Sequence, residues 1–256
     1  MATSKFNSVV RFCHQFGLQQ ETQLNLFQSI KLPAFDVSER LKEDIIEAKT
    51  LPLMTEKAKS ELIITPILKE LKRKNSFITF FSGFALNIDS VPELNGNPDF
   101  ILSAKPNLVE IEAPIFCLME SKNKSPDEGF AQCAAEMYAA RLFNQEMNDP
   151  HHTIYGAVTN GFDWIFMKLE KNTLYIDSER YYLSDVLTVL SILQWIVTAS
   201  TKEVQKKTSL NPSKGGTYHR EGKLLRENTI FRLNILKCFS SCKNLALFFA
   251  NYKKTS

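Results

Sequence analysis

Two short apolar runs limit what this chain can fold into. Residues 99 to 104 and 115 to 120 have the length and apolar content of buried strands, and each carries charge at one end. Pro98-Asp99 opens the first, and Met119-Glu120-Ser121-Lys122 closes the second. Residues 105 to 114 hold two prolines and two glutamates and read as a connection. If the arms pair antiparallel, Asp99 stands beside Glu120 and Lys122. Strand side chains alternate, so Glu120 and Lys122 share a face and Ser121 takes the other. Ionised groups at the end of a buried strand cost several kcal/mol unless they are paired or bind a metal.

An acidic residue two before a lysine is a weak signal alone, and it occurs at Glu47/Lys49, Glu70/Lys72, Glu120/Lys122 and Glu221/Lys223. The first two fall on expected surface helices and the last in an expected linker, where charges are solvated. Only Glu120/Lys122 ends an apolar strand. A structural ion pair at a sheet edge is the alternative reading of this pair.

Around these arms the elements follow in order. The first thirty residues lack a clean period and suggest a loosely attached helix or two. Val37, Leu41, Ile45 and Ile46 recur at helical spacing, and residues 37 to 49 are expected as an amphipathic helix ended by Leu51-Pro52. A second helix from Thr55 carries Ala58, Leu62, Ile63, Ile67, Leu68 and Leu71, closes on Lys72-Arg73-Lys74, and is interrupted at Pro66. Residues 77 to 88 suit one long strand bent at Gly83, which with the two arms makes an antiparallel meander.

Ser125-Pro126-Asp127-Glu128 has the form of a capping box, opening a helix to about Asn148 with Phe130, Cys133, Ala134, Met137, Arg141 and Leu142 inward. Gln132 and Glu136 lie off that stripe, one turn apart. Residues 154 to 159 and 162 to 169 read as strands joined by an Asn160-Gly161 turn, and Lys171-Asn172 turns the chain again into 173 to 177. A last helix spans Ser184 to about Ala199. Residues 209 to 222 have the composition of a linker, and 229 to 252 could form one or two helices.

The formal charge of +3 conceals an asymmetry: residues 201 to 256 hold twelve Lys/Arg against three Glu, hence +9, which leaves −6 for residues 1 to 200. An acidic body with a basic tail hints at an anionic partner, and a merely solvated tail is the other reading. The five cysteines include only one close pair, Cys238 and Cys242, without zinc-ligand spacing, as in a reducing cytosol. With neither a secretory leader nor a run of about eighteen apolar residues, the expectation is a cytoplasmic protein without a membrane span. His151-His152 after Asp149-Pro150 reads as a solvated turn.

Pro98-Asp99, twenty residues, then Glu120-Ser121-Lys122, with a helix before and a helix after, resembles the PD-(D/E)XK nuclease superfamily over about residues 55 to 180. The resemblance implies an α/β (α+β) fold with a restriction endonuclease-like core, a central mixed β-sheet flanked by helices. Residues 1 to 54 would then be an N-terminal helical segment, 55 to 200 the core and 201 to 256 a basic tail. By the same resemblance, Asp99 and Glu120 are the metal-binding carboxylates for Mg²⁺ or Mn²⁺ and Lys122 is the lysine of the motif. Glu61 matches an acidic residue on the preceding helix, and Gln132 a glutamine near the site. Thr159 to Trp164 resembles the Thr-x-Gly-x-x-Trp turn of some restriction-system nuclease domains, whereas Tyr138 lies six rather than four residues after Gln132. The implied function is metal-dependent phosphodiester hydrolysis of nucleic acid, DNA first, in restriction, defence or repair. The alternative is a catalytically silent module of that fold that binds nucleic acid or a partner protein; a homodimer stays open.

Overall fold

The computed structural model describes residues 6–23, 25–149 and 153–210, with side chains to residue 202. The chain divides into two units, 1–207 and 208–256, and the description below concerns the first. The basic tail and the 209–222 linker beyond Leu210, the 229–252 helices, His151-His152 and the Cys238/Cys242 pair lie outside the described residues.

The elements in order are α1 (Val9–Gln15), β1 (Gln19–Gln23), α2 (Glu39–Ala48), α3 (Glu56–Lys59), a π-turn (Ser60–Ile64), α4 (Thr65–Lys74), β2 (Thr79–Ser82), β3 (Phe100–Ser103), β4 (Ile115–Ser121), α5 (Phe130–Glu146), β5 (Thr153–Thr159), β6 (Asp163–Glu170), β7 (Thr173–Asp177), β8 (Tyr181–Tyr182) and α6 (Val186–Leu210). The strands form one mixed sheet in the order β1-β7-β6-β5-β4-β3-β2, with β8 pairing β6. β4 and β5 are parallel, and α5 makes the crossover between them. Helices cover both faces, so this is an α/β fold with a central mixed sheet.

The alternation of β4 shows how the faces are filled. Phe116 and Met119 join the core with α2, α4 and α6, whereas Ile115 and Leu118 join the core beneath α1 and α5. Every residue of β4 is buried, as expected of a strand covered on both sides. Glu120 continues the Leu118 side and faces α5.

The meander of β2, β3 and β4 forms as expected, but the long strand does not. Gly83 adopts φ +69, which turns the chain out of the ladder after Ser82, and only an isolated Leu86–Gly96 bridge follows. At Pro66 the helix is not cut; a π-turn lies just ahead, with Thr65 N–H reaching Ser60 O, and α4 runs on. The Ser125 capping box does not form either. Ser125 Oγ donates to Asp127 Oδ2 at 2.7 Å, and a 3-10 turn, Pro126–Gly129, precedes α5.

Residues 6 to 54 are not a loose appendage. Phe12 and Cys13 are buried beneath α5, Phe27, Phe35, Leu41 and Ile45 lie in the other core, and β1, too polar to read as a strand, makes an edge of the sheet. Because α1 packs on α5, the inward face of α5 is wider than one stripe and takes in Ala131, Ala135 and Ala139; Glu136, on the side toward β4, is buried as well. Arg141 is not core; its guanidinium lies 4.6 Å over the Tyr138 ring and donates to Lys171 O.

The Asn160-Gly161 turn is a longer loop than two residues, with Thr159 opposite Trp164. Asn160 Oδ1 accepts from Phe162 and Asp163 N–H at 2.9 and 2.8 Å, and Gly161 takes φ +87. The last helix continues to Leu210, past the expected end. Its Leu183–Lys202 stretch has a mean hydropathy of 1.5 and is, by length and composition, long and apolar enough to cross a membrane. Half of that stretch is buried inside the protein, including Val189, Leu190, Leu193, Ile196 and Val197, as in the core helix of a sheet protein.

Candidate active site

The site forms where β4 and β5 end side by side. Phe100 pairs with Met119, so one further step along the antiparallel register sets Asp99 opposite Glu120. Lys122 N–H donates to Thr159 O at 2.8 Å, which carries the parallel ladder one residue beyond β4 and fixes where the lysine leaves the sheet. Gly129 packs beside it: a Cβ there would lie 3.1 Å from Lys122 Cε and 2.5 Å from Val158 Cγ1, so only glycine fits.

The side chains meet as follows. Asp99 Oδ2 accepts from Ser121 N–H at 2.7 Å. Lys122 Nζ donates to Glu120 Oε1 at 2.5 Å and to Gln132 Oε1 at 3.0 Å. Gln132 Nε2 donates in turn to Glu136 Oε1 at 3.1 Å. Glu120 Oε2 and Glu136 Oε2 are both buried without a hydrogen-bond partner. On the other side Glu56 Oε1 accepts from Asn123 N–H at 3.1 Å, and Lys59 Nζ donates to Asn123 O and Oδ1, so the start of α3 clamps the residue that follows Lys122.

Four expected residues, Asp99, Glu120, Lys122 and Gln132, are therefore brought together, and Glu61 is not. Glu61 is exposed and lies 3.9 Å from Lys57. Two residues of helix turn a side chain by about 200°, so when Lys59 and Ile63 face inward Glu61 faces out. Glu56, one turn before Lys59, takes the position toward the site. Its signal was the Thr55 cap, whose Oγ1 accepts from Ala58 N–H at 3.1 Å. Glu136 was marked by its spacing from Gln132, but a single inward stripe left it outside the core.

Burial shapes the electrostatics. It pushes the Glu120 carboxyl up to about 7, with the neighbouring Asp99 charge adding and Lys122 opposing. Asp99 is raised by burial, against the Ser121 N–H and Lys122. Glu136 is raised well above the carboxylate range by burial and then by Glu120. For Lys122 burial works to lower the value, but Glu120, Glu56 and Asp99 together hold it above that of a free lysine.

Among the described residues no group of three or more His, Cys, Asp or Glu side chains is spaced to hold a metal ion. Two carboxylates suffice for Mg²⁺, which keeps several waters and a phosphate oxygen in its octahedron. Asp99 and Glu120 offer hard oxygens, and the partnerless buried Oε2 of Glu120 is a donor without a use inside the protein. The pair fits such an ion. A surface cavity of about 560 Å³, lined by Tyr138, Arg141, Thr153 and Lys171, lies at the other end of α5 and shares no residue with this cluster. No protein-family model matches the chain, and no curated protein is significantly similar to it.

Proposed function

We propose that this chain is a metal-dependent nuclease with a restriction endonuclease-like core, acting on phosphodiester bonds of DNA in the cytoplasm, in restriction, defence or repair. One observation carries the reading: Asp99, Glu120 and Lys122 converge on one face at the strand ends, with a carboxylate oxygen buried and unpaired. Burying that oxygen without a partner costs stability, which a bound cation would recover. Asp99 and Glu120 would hold Mg²⁺ or Mn²⁺, and the ion would supply Lewis-acid polarisation of the phosphate. In the hydrolysis a water oxygen bonds to phosphorus, the P–O bond to the departing sugar oxygen breaks in line, and the water's proton leaves with that oxygen or to solvent. Lys122, held between Glu120 and Gln132, would orient the water or neutralise the charge that grows on the phosphoryl oxygens.

Incubation of plasmid and single-stranded DNA with Mg²⁺ or Mn²⁺ tests this. Cleavage by the wild type is expected, with loss of about 10²-fold or more in Lys122→Ala and Asp99→Ala. Cleavage unchanged in either variant rejects the assignment.

The 2.5 Å Lys122–Glu120 pair favours a second reading, in which the motif serves structure and the module only binds nucleic acid or a partner. DNA binding by a wild type that cuts nothing under either metal selects it.

A further inference from the structure

The cleavage chemistry leaves one member of the cluster idle. Glu136 is 6% exposed, touches neither Asp99 nor Lys122 by hydrogen bond, and spends its one paired oxygen on Gln132 Nε2. The neighbouring positions on α5 are Ala134, Ala135, Met137, Ala139 and Ala140, an apolar surround in which a carboxylate with a partnerless oxygen lowers stability.

The hydrogen-bond directions give it a task. An amide side chain accepts at its oxygen and donates at its nitrogen, and a lysine ammonium only donates. Gln132 helps hold Lys122 only if its oxygen points that way. A glutamine without other partners exchanges its two ends freely. With Glu136 ionised at its far end the exchange is closed, because turning Nε2 toward Lys122 would set Gln132 Oε1 against Glu136 Oε1, two acceptors face to face; a protonated Glu136 donates to that oxygen instead, so the hold is that of the ionised form. Lys122 Nζ is then fixed by two acceptors, Glu120 Oε1 at 2.5 Å and Gln132 Oε1 at 3.0 Å, and four rotatable side-chain bonds are reduced to one arrangement.

We propose that Glu136 is a positioning residue that acts through Gln132 to hold the Lys122 ammonium beside the strand-end carboxylates. The kinetic consequence rests on the nuclease reading, whereas the placement of Lys122 can be read without it.

Pulsed acetylation of the full chain with acetic anhydride, followed by mass spectrometry of the Lys122 peptide, is the direct test. Lys59, held by Asn123, serves as the internal marker of a folded chain. Glu136→Met is expected to raise the Lys122 rate about fivefold, the scale of one lost hydrogen bond, with Lys59 unchanged. Glu136→Gln keeps an acceptor for Gln132 Nε2, but its own amide can also turn and donate to a reversed Gln132, so its rate should fall between those of the wild type and Glu136→Met. Gln132→Leu should match Glu136→Met, and the double variant should be no faster than Gln132→Leu alone. Equal rates in wild type and Glu136→Met, equal rates in Glu136→Gln and Glu136→Met, or additive effects in the double variant would each overturn the proposal.

If Glu136→Met also loses Lys59 protection, the swap Gln132→Glu with Glu136→Gln decides instead. It keeps volume and charge, puts an acceptor toward Lys122, and should preserve protection; a rise in the Lys122 rate overturns the proposal. A cleavage assay on the same variants separates the two readings. Where the wild type cuts, Glu136→Met should lower kcat about fivefold with KM unchanged, and Glu136→Gln should restore part of it. A wild type that cuts nothing ends the nuclease reading and leaves the acetylation rates to decide the role of Glu136.

Discussion

Two buried polar side chains on α5 do opposite things. At the far end Asn144, fully buried, accepts at Oδ1 from Ile115 N–H at 2.8 Å and donates from Nδ2 to Ile115 O at 2.7 Å, so both backbone groups of Ile115 at the start of β4 are paired. At the near end Glu136 leaves one oxygen without a partner, and Glu120 across from it does the same. The first arrangement is what a fold needs to fix a strand relative to a helix. The second costs stability and adds nothing to the register. One helix thus anchors the sheet at one end and borders a cluster of buried carboxyls at the other.

The largest effect expected on this contrast is at the near end: loss of cleavage of about 10²-fold or more in Asp99→Ala and Lys122→Ala. Next comes the far end. Asn144→Ala strands the Ile115 N–H and C=O in the core, each at about 1–3 kcal/mol, and should lower unfolding free energy by about 3 kcal/mol in urea titrations. If Asn144→Ala proved as stable as the wild type, the anchoring role would be lost and the contrast with it.

The pH dependence sharpens the difference. Glu120 ordinarily titrates near 4.5 and is raised to about 7 in the fold, so between these values the folded state holds a proton that the unfolded state has released. Its contribution is full below pH 4.5, declines as pH rises, and is gone above 7, a total on the order of 3 kcal/mol. Asp99 and Glu136 are shifted the same way. Relative to wild type, Glu120→Gln should therefore gain stability between pH 5 and pH 7.5, read from urea midpoints at both. Asn144→Ala should lose the same amount at each, because nothing at Ile115 titrates. A Glu120→Gln curve parallel to the wild type would place that carboxyl in water.

Sequence made the side-chain cluster at the strand ends legible, because an apolar run that finishes in Glu-Ser-Lys has few ways to be satisfied, and antiparallel pairing with the Asp99 arm is the shortest. It also made the meander and α5 legible. It did not show β1, whose Gln-Gln-Glu-Thr-Gln sequence carries no strand signal and pairs because β7 offers it an edge. Nor did it show the burial of Glu136, which faces Gln132 and the Glu120 end of β4. Glu61 was misplaced for a local reason, the phase of one helix.

That phase supports the smallest prediction, which is also the one that tests the near end most finely. Glu61 and Glu56 are both acidic, five residues apart, and at the same end of one helix. Glu61 lies across from Lys57 in solvent, where an ion pair is worth at most a few tenths of a kcal/mol and salt screens it. Glu56 accepts from the backbone of Asn123, directly after Lys122. Glu61→Ala should leave cleavage and urea midpoint within about 0.5 kcal/mol of wild type. Glu56→Ala frees the Asn123 N–H and leaves Lys59 as the sole clamp from α3, so a loss of about two- to fivefold in cleavage is expected at nearly constant stability. The reverse order, with Glu61→Ala the more damaging, would mean that the helix presents its other face to the substrate and that the cluster at the strand ends is completed from outside the fold.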